Sequence, residues 1–376
     1  MATMSPGVDA TALEKLKRIA PGLAHARRLE TAPLPQEIAF KLTARCDLRC
    51  THCYQWGEGG HHQQLSAIEQ RNELDLDLIE RVLDATAPAH SNVFLWGGEP
   101  LLYRRFAELC ERLATHQRYV SICTNGTLIE RRLDSLLALG ERLEVSVSLD
   151  GFEAMHDALR GRGAYARTMA GLRALLDSQR YLGEISVNAV LSDALVEQLP
   201  AFVERMEEHG VGALYLSFPW FLSPAAADEM DRYVANAHPH LRCGSAPSWH
   251  GYRFALSDTP QLRAALRQID ARRGALKVRY NPDLSDHDLA TFLSGSTQAA
   301  QGKRACGAIH TRMDVFPDGS VVSCKFFPEF TMGSLQQEAL TDVWHGASFR
   351  HLRDTAQRCG LMPVCAKCNL LYTRGQ

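Results

Sequence analysis

Ile38-Ala39-Phe40-Lys41-Leu42-Thr43-Ala44-Arg45-Cys46-Asp47-Leu48-Arg49-Cys50-Thr51-His52-Cys53-Tyr54 runs from a strand-like apolar stretch straight into three cysteines spaced Cx3Cx2C. Three thiolates so close together can hold three irons of a cubic 4Fe-4S cluster and leave the fourth iron open for chemistry. Structural iron–sulfur sites fill all four corners. Thiolates also select zinc and copper(I). A zinc site favours a Cx2C pair with a second pair far away, a symmetry that 46/50/53 lacks. Zinc, buried free cysteines and a disulfide are the plainer readings.

The cysteines fall on a loop after a strand, and binding sites of parallel α/β units lie beyond the carboxyl ends of their strands. The downstream pattern continues that theme. Strands are expected at 38–43, 92–96, 119–123, 143–148, 185–190 and 213–217. Helices are expected near 75–87, 103–116, 128–139, 164–178 and 194–209. Strands alternating with helices point to parallel βα units and an α/β fold. The strands are rich in Val, Ile, Leu and Phe, as buried parallel strands should be.

With these pieces the chain resembles the radical S-adenosylmethionine (radical SAM) family. Cys46, Cys50 and Cys53 match its cluster motif, closed by Tyr54. Gly97-Gly98-Glu99-Pro100 matches the GGEP motif that holds the methionyl amine of SAM. Thr124-Asn125-Gly126 follows the next strand. Ser146-Val147-Ser148-Leu149-Asp150-Gly151 matches the strand that reaches the SAM carboxylate and ribose. His156-Asp157 with Arg160-Gly161 resembles the next turn, whose arginine contacts the SAM carboxylate. The resemblance covers residues 36–220 and implies a partial (β/α)6 TIM barrel, open rather than closed. It implies SAM contacts from Tyr54, Gly97, Gly98, Glu99, Pro100, Asn125, Ser146, Ser148, Asp150 and Arg160. It also implies reductive cleavage of SAM to methionine and a 5′-deoxyadenosyl radical, with the protein supplying binding and orientation.

A second cysteine group closes the chain. Thr311–Phe316 and Val321–Ser323 read as a hairpin around Pro317-Asp318-Gly319, since Pro pre-sets the turn and Gly tolerates positive φ. Cys306 and Cys324 flank it, and Cys365-Ala366-Lys367-Cys368 follows near the end. Four thiolates make a closed site, which zinc could also fill. The arrangement resembles the C-terminal SPASM/twitch-type auxiliary domain of radical SAM enzymes. No cysteine follows Cys368, so the resemblance is to the short, one-cluster twitch form. It implies one auxiliary 4Fe-4S cluster on Cys306, Cys324, Cys365 and Cys368. Cys359 is left over, as an alternative ligand, a catalytic hydrogen-atom donor or redox thiol, or a plain buried cysteine. Cys110 and Cys123 read as core, and Cys243 stays open.

The remaining segments are less decisive. Residues 13–31 have the pattern of a short amphipathic helix, ended by Pro33 and Pro35. The expected divisions are a lead at 1–35, the barrel at 36–220, a helical linker or cap at 221–300, and the auxiliary domain at 301–376. His61 and His62 sit in a glycine-containing loop, read as mobile or as a second metal site. Helical pieces are expected at 259–272 and 286–294. Trp220, Phe221, Trp249, Tyr252 and Phe254 suggest either an aromatic cap or ordinary packing. Asp228, Glu229 and Asp231 are candidate bases, though carboxylates there are more often on the surface.

A formal charge of -2 gives no basic footprint for nucleic acid. There is no apolar run for a membrane span and no signal core. Eleven cysteines without an export signal suggest metal ligands in a reducing, cytoplasmic setting. The leading expectation is an oxidoreductase that crosslinks or dehydrogenates a ribosomally made precursor peptide. The lead before the barrel is too short for a peptide-recognition domain, so either a separate recognition protein or the barrel mouth is expected to supply recognition. An external donor such as flavodoxin or ferredoxin is an expected partner. The alternative is a small-molecule aminoglycoside or sugar dehydrogenase or epimerase. A cluster-bearing scaffold is the third reading, and it has no use for a GGEP-type shelf.

Overall fold

Strands β1 (Glu37–Lys41), β2 (Asn92–Trp96), β3 (Val120–Thr124), β4 (Leu143–Ser148), β5 (Glu184–Val190) and β6 (Ala213–Ser217) lie side by side in chain order, all parallel. Helices cross between them, as the alternation predicts. The computed structural model describes residues 31–249 and 260–376. The helix expected at 13–31 lies almost wholly outside the described residues, as do Tyr252 and Phe254.

The sheet continues beyond the expected six strands. β7 (Lys277–Asn281) pairs parallel with β6, and β8 (Arg312–Val315) pairs parallel with β1. β9 (Ser320–Val322) and β10 (Thr331–Ser334) add antiparallel beyond β8. The strand order is β10-β9-β8-β1-β2-β3-β4-β5-β6-β7. β7 reads Lys-Val-Arg-Tyr-Asn and is half exposed along its length, so it lacks the apolar run that marked the others. The predicted hairpin is therefore an extension of the barrel sheet, with no break at residue 300. Arg312 fixes this junction: it donates to both oxygens of Asp314 at 2.8 Å and to Glu37 on β1, while Arg374 reaches Glu37 at 2.7 Å.

β1 and β8 are buried on both faces, but the middle strands alternate. In β4, Leu143, Val145 and Val147 are fully buried, whereas Glu144, Ser146 and Ser148 are half-buried. The register aligns Cys123 with Ser146, and Ser148 with Asn188. One face is thus apolar and packs with helix residues such as Leu109, Leu113, Leu172 and Leu175. Each such side chain contributes about 1.5–3 kcal/mol by leaving water. The other face is polar because it lines the inside of an incomplete barrel. Cys110 belongs to the helical core as expected, but Cys123 belongs to the polar interior face.

The segment 194–209 is two helices, Asp193–Glu197 and Leu199–Glu208, because Pro200 starts a new first turn where its missing N–H costs nothing. Asp228, Glu229 and Asp231 lie on the helix Pro224–Ala237, two of them exposed and Glu229 half-buried.

Candidate active site

Backbone contacts from the loop after β2 hold the triad loop closely. Gly98 N–H donates to Thr43 O at 2.9 Å, and Glu99 N–H donates to Arg45 O at 2.7 Å. This approach leaves no room for side chains: a Cβ on Gly98 would sit 2.2 Å from Arg45 O and 2.5 Å from Ala44 O, and one on Gly97 would sit 2.5 Å from Thr43 O. Glycine is required here for close backbone approach. Gly98→Ala is expected to push the cysteine loop out of register and lower both iron content and SAM binding while the barrel stays folded. Iron analysis with far-UV circular dichroism checks this, and an unchanged iron content sinks it.

Glu99 is buried, and three donors converge on it: Thr124 Oγ1 at 2.7 Å, Asn125 N at 2.8 Å and Leu101 N at 3.0 Å. Burial still pushes its carboxyl up to about 7, so a cation placed beside it would be welcome. Asn125 bridges onward. Its side chain donates to Asp47 at 2.8 Å and lies 3.9 Å from Cys46 Sγ, while Thr127 also donates to Asp47 at 2.7 Å. Asp47, inside the triad, ties the cysteine loop to the Thr124–Thr127 turn, a contact that spacing did not reveal.

On the far side Asp150 is fully buried and accepts from Arg160 Nε at 2.6 Å and from Val190 N at 2.8 Å. Burial raises its pKa, but the Arg160 guanidinium, His52 and these hydrogen bonds outweigh that and hold it at about 2. Asp150 is thus occupied by Arg160 and the Val190 backbone. Arg160 is buried, spends Nε on Asp150, and feels the Cys50 thiol. His156 Nδ1 accepts from Asp150 N at 3.1 Å, and burial lowers its pKa to about 4. Burial pushes the Cys50 thiol up to about 11 and raises Cys46 as well. A thiolate there needs a metal beside it. Ser146 and Ser148 face the same interior, half-buried.

The loop after the triad is packed. Gly57 N–H donates to Cys53 O at 2.8 Å, and His61 and His62 are buried against it. His62 Nε2 lies 2.8 Å from Lys41 Nζ. The mobile-loop expectation is corrected: these histidines are internal struts. Burial lowers His61 to about 3 and, with Lys41, holds His62 low as well.

Cys306, Cys324, Cys365 and Cys368 line one cavity. The Cys365 thiol is raised by burial and by the other three sulfurs together. Among the described residues, no three of these sulfurs lie within 4.8 Å of one another. Cys359 is different: it is exposed at the end of the helix Ala347–Cys359. Cys243 is buried beside the aromatic residues of the insert. Tyr54 stacks on Trp249 (4.0 Å, 14°), Trp249 meets Trp220 at 3.7 Å, and Trp220 meets Phe326 at 4.1 Å. These rings join the residue after Cys53 to the residue two past Cys324.

Residues 40–191 match the radical SAM superfamily model, and residues 306–369 match the SPASM iron-sulfur cluster-binding domain. The chain is a radical SAM enzyme with a C-terminal SPASM-type auxiliary domain. It is 27% identical over 358 residues to the pre-heme d1 synthase of Dinoroseobacter shibae, covering 88% of this chain and 80% of that one. It is 26% identical over 354 residues to the PqqA peptide cyclase of Xanthomonas oryzae pv. oryzae, covering 90% of this chain and 82% of that one. The crystal structure of Streptococcus suis SuiB bound to precursor peptide SuiA has the same fold, with a TM-score of 0.62 and 17% identity over 99% of this chain and 78% of that one. Among the described residues no helix is long and apolar enough to cross a membrane.

Proposed function

We propose that this enzyme oxidises a ribosomally made precursor peptide, with Cys46, Cys50 and Cys53 holding a 4Fe-4S cluster for SAM and Cys306, Cys324, Cys365 and Cys368 holding one auxiliary 4Fe-4S cluster. The observation that carries the oxidative part is the four-thiol cavity. A tetrahedral zinc site with Zn–S of about 2.3 Å would bring its sulfurs to about 3.8 Å of one another. That no three of these sulfurs lie within 4.8 Å of one another among the described residues favours separate corners of a cubic cluster over that tetrahedron. Such a fully ligated cluster supplies an electron acceptor when bound. The peptide substrate is supported by the near full-length similarity to a peptide cyclase.

The chain's own residues then have separable tasks. Glu99, buried among three donors, would hold the methionyl amine of SAM. Arg160, oriented by Asp150, would hold its carboxylate. Tyr54, stacked on Trp249, would exclude water beside the bound adenosyl group, where positioning carries much of the rate. The domain divisions at 35, 220 and 300 are kept in this reading as functional segments, although β7 and β8–β10 continue the barrel sheet across the last two. A second reading, a tetrapyrrole substrate, is favoured by the similarity to a pre-heme d1 synthase.

The reconstituted, reduced enzyme is expected to contain near eight irons per chain (two clusters of four) and to convert SAM to 5′-deoxyadenosine. A peptide encoded beside its gene should lose two hydrogens by mass spectrometry. Failure of SAM cleavage removes the enzyme reading. Cleavage that is coupled to oxidation of an iron porphyrin, and not of the peptide, selects the second reading.

A further inference from the structure

Lys325 follows Cys324 and turns toward the barrel interior. Its ammonium lies over the Phe94 ring at 5.7 Å and over the Phe326 ring at 4.8 Å. Phe94 is on β2 and pairs in register with Ser121, so it shares the interior face with Cys123. Lys325 is close enough to Cys123 and to Cys368 to feel both thiols, and Cys123 in turn feels Glu99 and Arg160. Lys325 also lines the four-thiol cavity. One side chain thus stands between the SAM-side residues and the late cysteine site, on ground that a substrate serving both has to share.

The half-buried ammonium has no hydrogen bond and no ion pair among the described residues. The carboxylates near it are already taken. Asp314 accepts from Arg312 Nε and Nη2 at 2.8 Å each, and Glu37 accepts from Arg312 and Arg374. Two carboxylates therefore face three cations, and the positive charge left over is on Lys325. Lys41 makes the contrast: it is also buried on β1, but its Nζ lies 2.8 Å from His62 Nε2. Taking an ammonium out of water without a partner is costly, and the two phenyl faces return only part of that cost.

We propose that Lys325 anchors a carboxylate of the substrate, so that the peptide this enzyme takes is acidic at its reacting segment. The proposal rests on the peptide reading above. An ammonium offers three donors and no acceptor. A backbone carbonyl would satisfy a donor but leave the extra positive charge, whereas a carboxylate satisfies both. A peptide carries that group on an Asp or Glu side chain or at its C-terminus. Charge attraction is stronger in a partly dehydrated interior than at the surface. A carboxylate held there would fix the neighbouring C–H bond between the two cysteine sites, where orientation carries much of the rate.

The test uses the holoenzyme with both clusters and SAM, and the peptide encoded beside its gene. Versions of that peptide carry an amide in place of one carboxylate at a time, side chains and C-terminus in separate arms, which tells the two sources apart. Lys325→Met keeps the stem against Phe94 and Phe326 and removes the charge. It is expected to weaken peptide binding about 30-fold or more, read as a raised KM with kcat for SAM cleavage changed far less. Lys325→Arg should keep most of the affinity. One amide peptide should bind wild type as weakly as the native peptide binds Lys325→Met, and should lose nothing further in that variant. Wild type that binds every amide peptide as tightly as the native one overturns the anchor, and this arm needs no protein variant. Native affinity in Lys325→Met, with only the auxiliary cluster's electron paramagnetic resonance signal shifted, also overturns it, because that lysine would then serve the cluster alone. Iron content and far-UV circular dichroism are read on the same samples. A wild type that cleaves SAM but neither binds nor oxidises the peptide fails the peptide reading and the anchor with it. A wild type that oxidises the peptide without regard to any carboxylate fails the anchor alone.

Discussion

Asp150→Ala is expected to destabilise the protein by about 3–5 kcal/mol and to weaken SAM binding by about 10–100-fold, the range seen when a group that orients a ligand-binding residue is lost. Asp150 is fully buried and meets a buried Arg160 at 2.6 Å. Removing the carboxylate strands a guanidinium inside the barrel, which costs more than the pair itself is worth. The double variant Asp150→Ala/Arg160→Met should therefore recover part of the stability while SAM binding stays weak. If it is less stable than the single variant, the stranded-charge argument fails. The pair also sets an acid limit. Asp150 has its pKa held at about 2 against an ordinary 3.8. Its contribution, about 2 kcal/mol, is complete above the unfolded value and is lost as pH falls through the folded one. Acid titration of wild type should show that loss between about pH 4 and 2, and Asp150→Ala should lack it.

That pair also shows where sequence stops being enough. Asp150 and Arg160 were both recognisable as site residues, because each sits in a motif. Their mutual salt bridge was not, because it joins a strand end to a helix ten residues on and depends on how the turn between them closes. Strand positions were readable since apolar runs of the right length bounded by turn residues have few other uses. The facing of those strands is harder to read from composition: β1 is buried throughout, while the alternation in Leu143–Ser148 carries the polar interior. β7 escaped notice because an edge strand of an incomplete barrel needs little apolar surface. Asp47, Lys41 and His62 escaped for a different reason. Their roles come from long-range partners, Asn125 with Thr127 for Asp47 and each other for Lys41 and His62, and no local pattern announces such contacts. Trp220 and Trp249 were noted as aromatic, but only packing shows that they join Tyr54 to Phe326 across the two cysteine sites.

Cys365→Ser/Cys368→Ser is expected to separate radical formation from product formation: SAM cleavage persists, and oxidised product falls to background. The two cysteine sites are built by different parts of the chain. Cys46, Cys50 and Cys53 depend on β1, β2 and the Gly97–Glu99 backbone contacts. The late Cx2C loop hangs instead on Lys367, buried and donating to Phe292 O, and on Tyr372, whose hydroxyl donates to Ala366 O at 2.6 Å. Serine keeps the size of each side chain and those anchors, so the loop should stay in place while its metal is lost. Iron should fall by half, the triad's cluster signal should persist, and 5′-deoxyadenosine should still form. Cys359→Ser is the comparison that gives the result its meaning. Its thiol is exposed at a helix end, apart from the cavity the other four line, so cluster content and turnover should be intact. Loss of product in Cys359→Ser would return that thiol to the catalytic role its sequence position suggested. Full product formation in Cys365→Ser/Cys368→Ser would show that the electron leaves the substrate by another route, and would end the assignment of the four-thiol cavity as its acceptor.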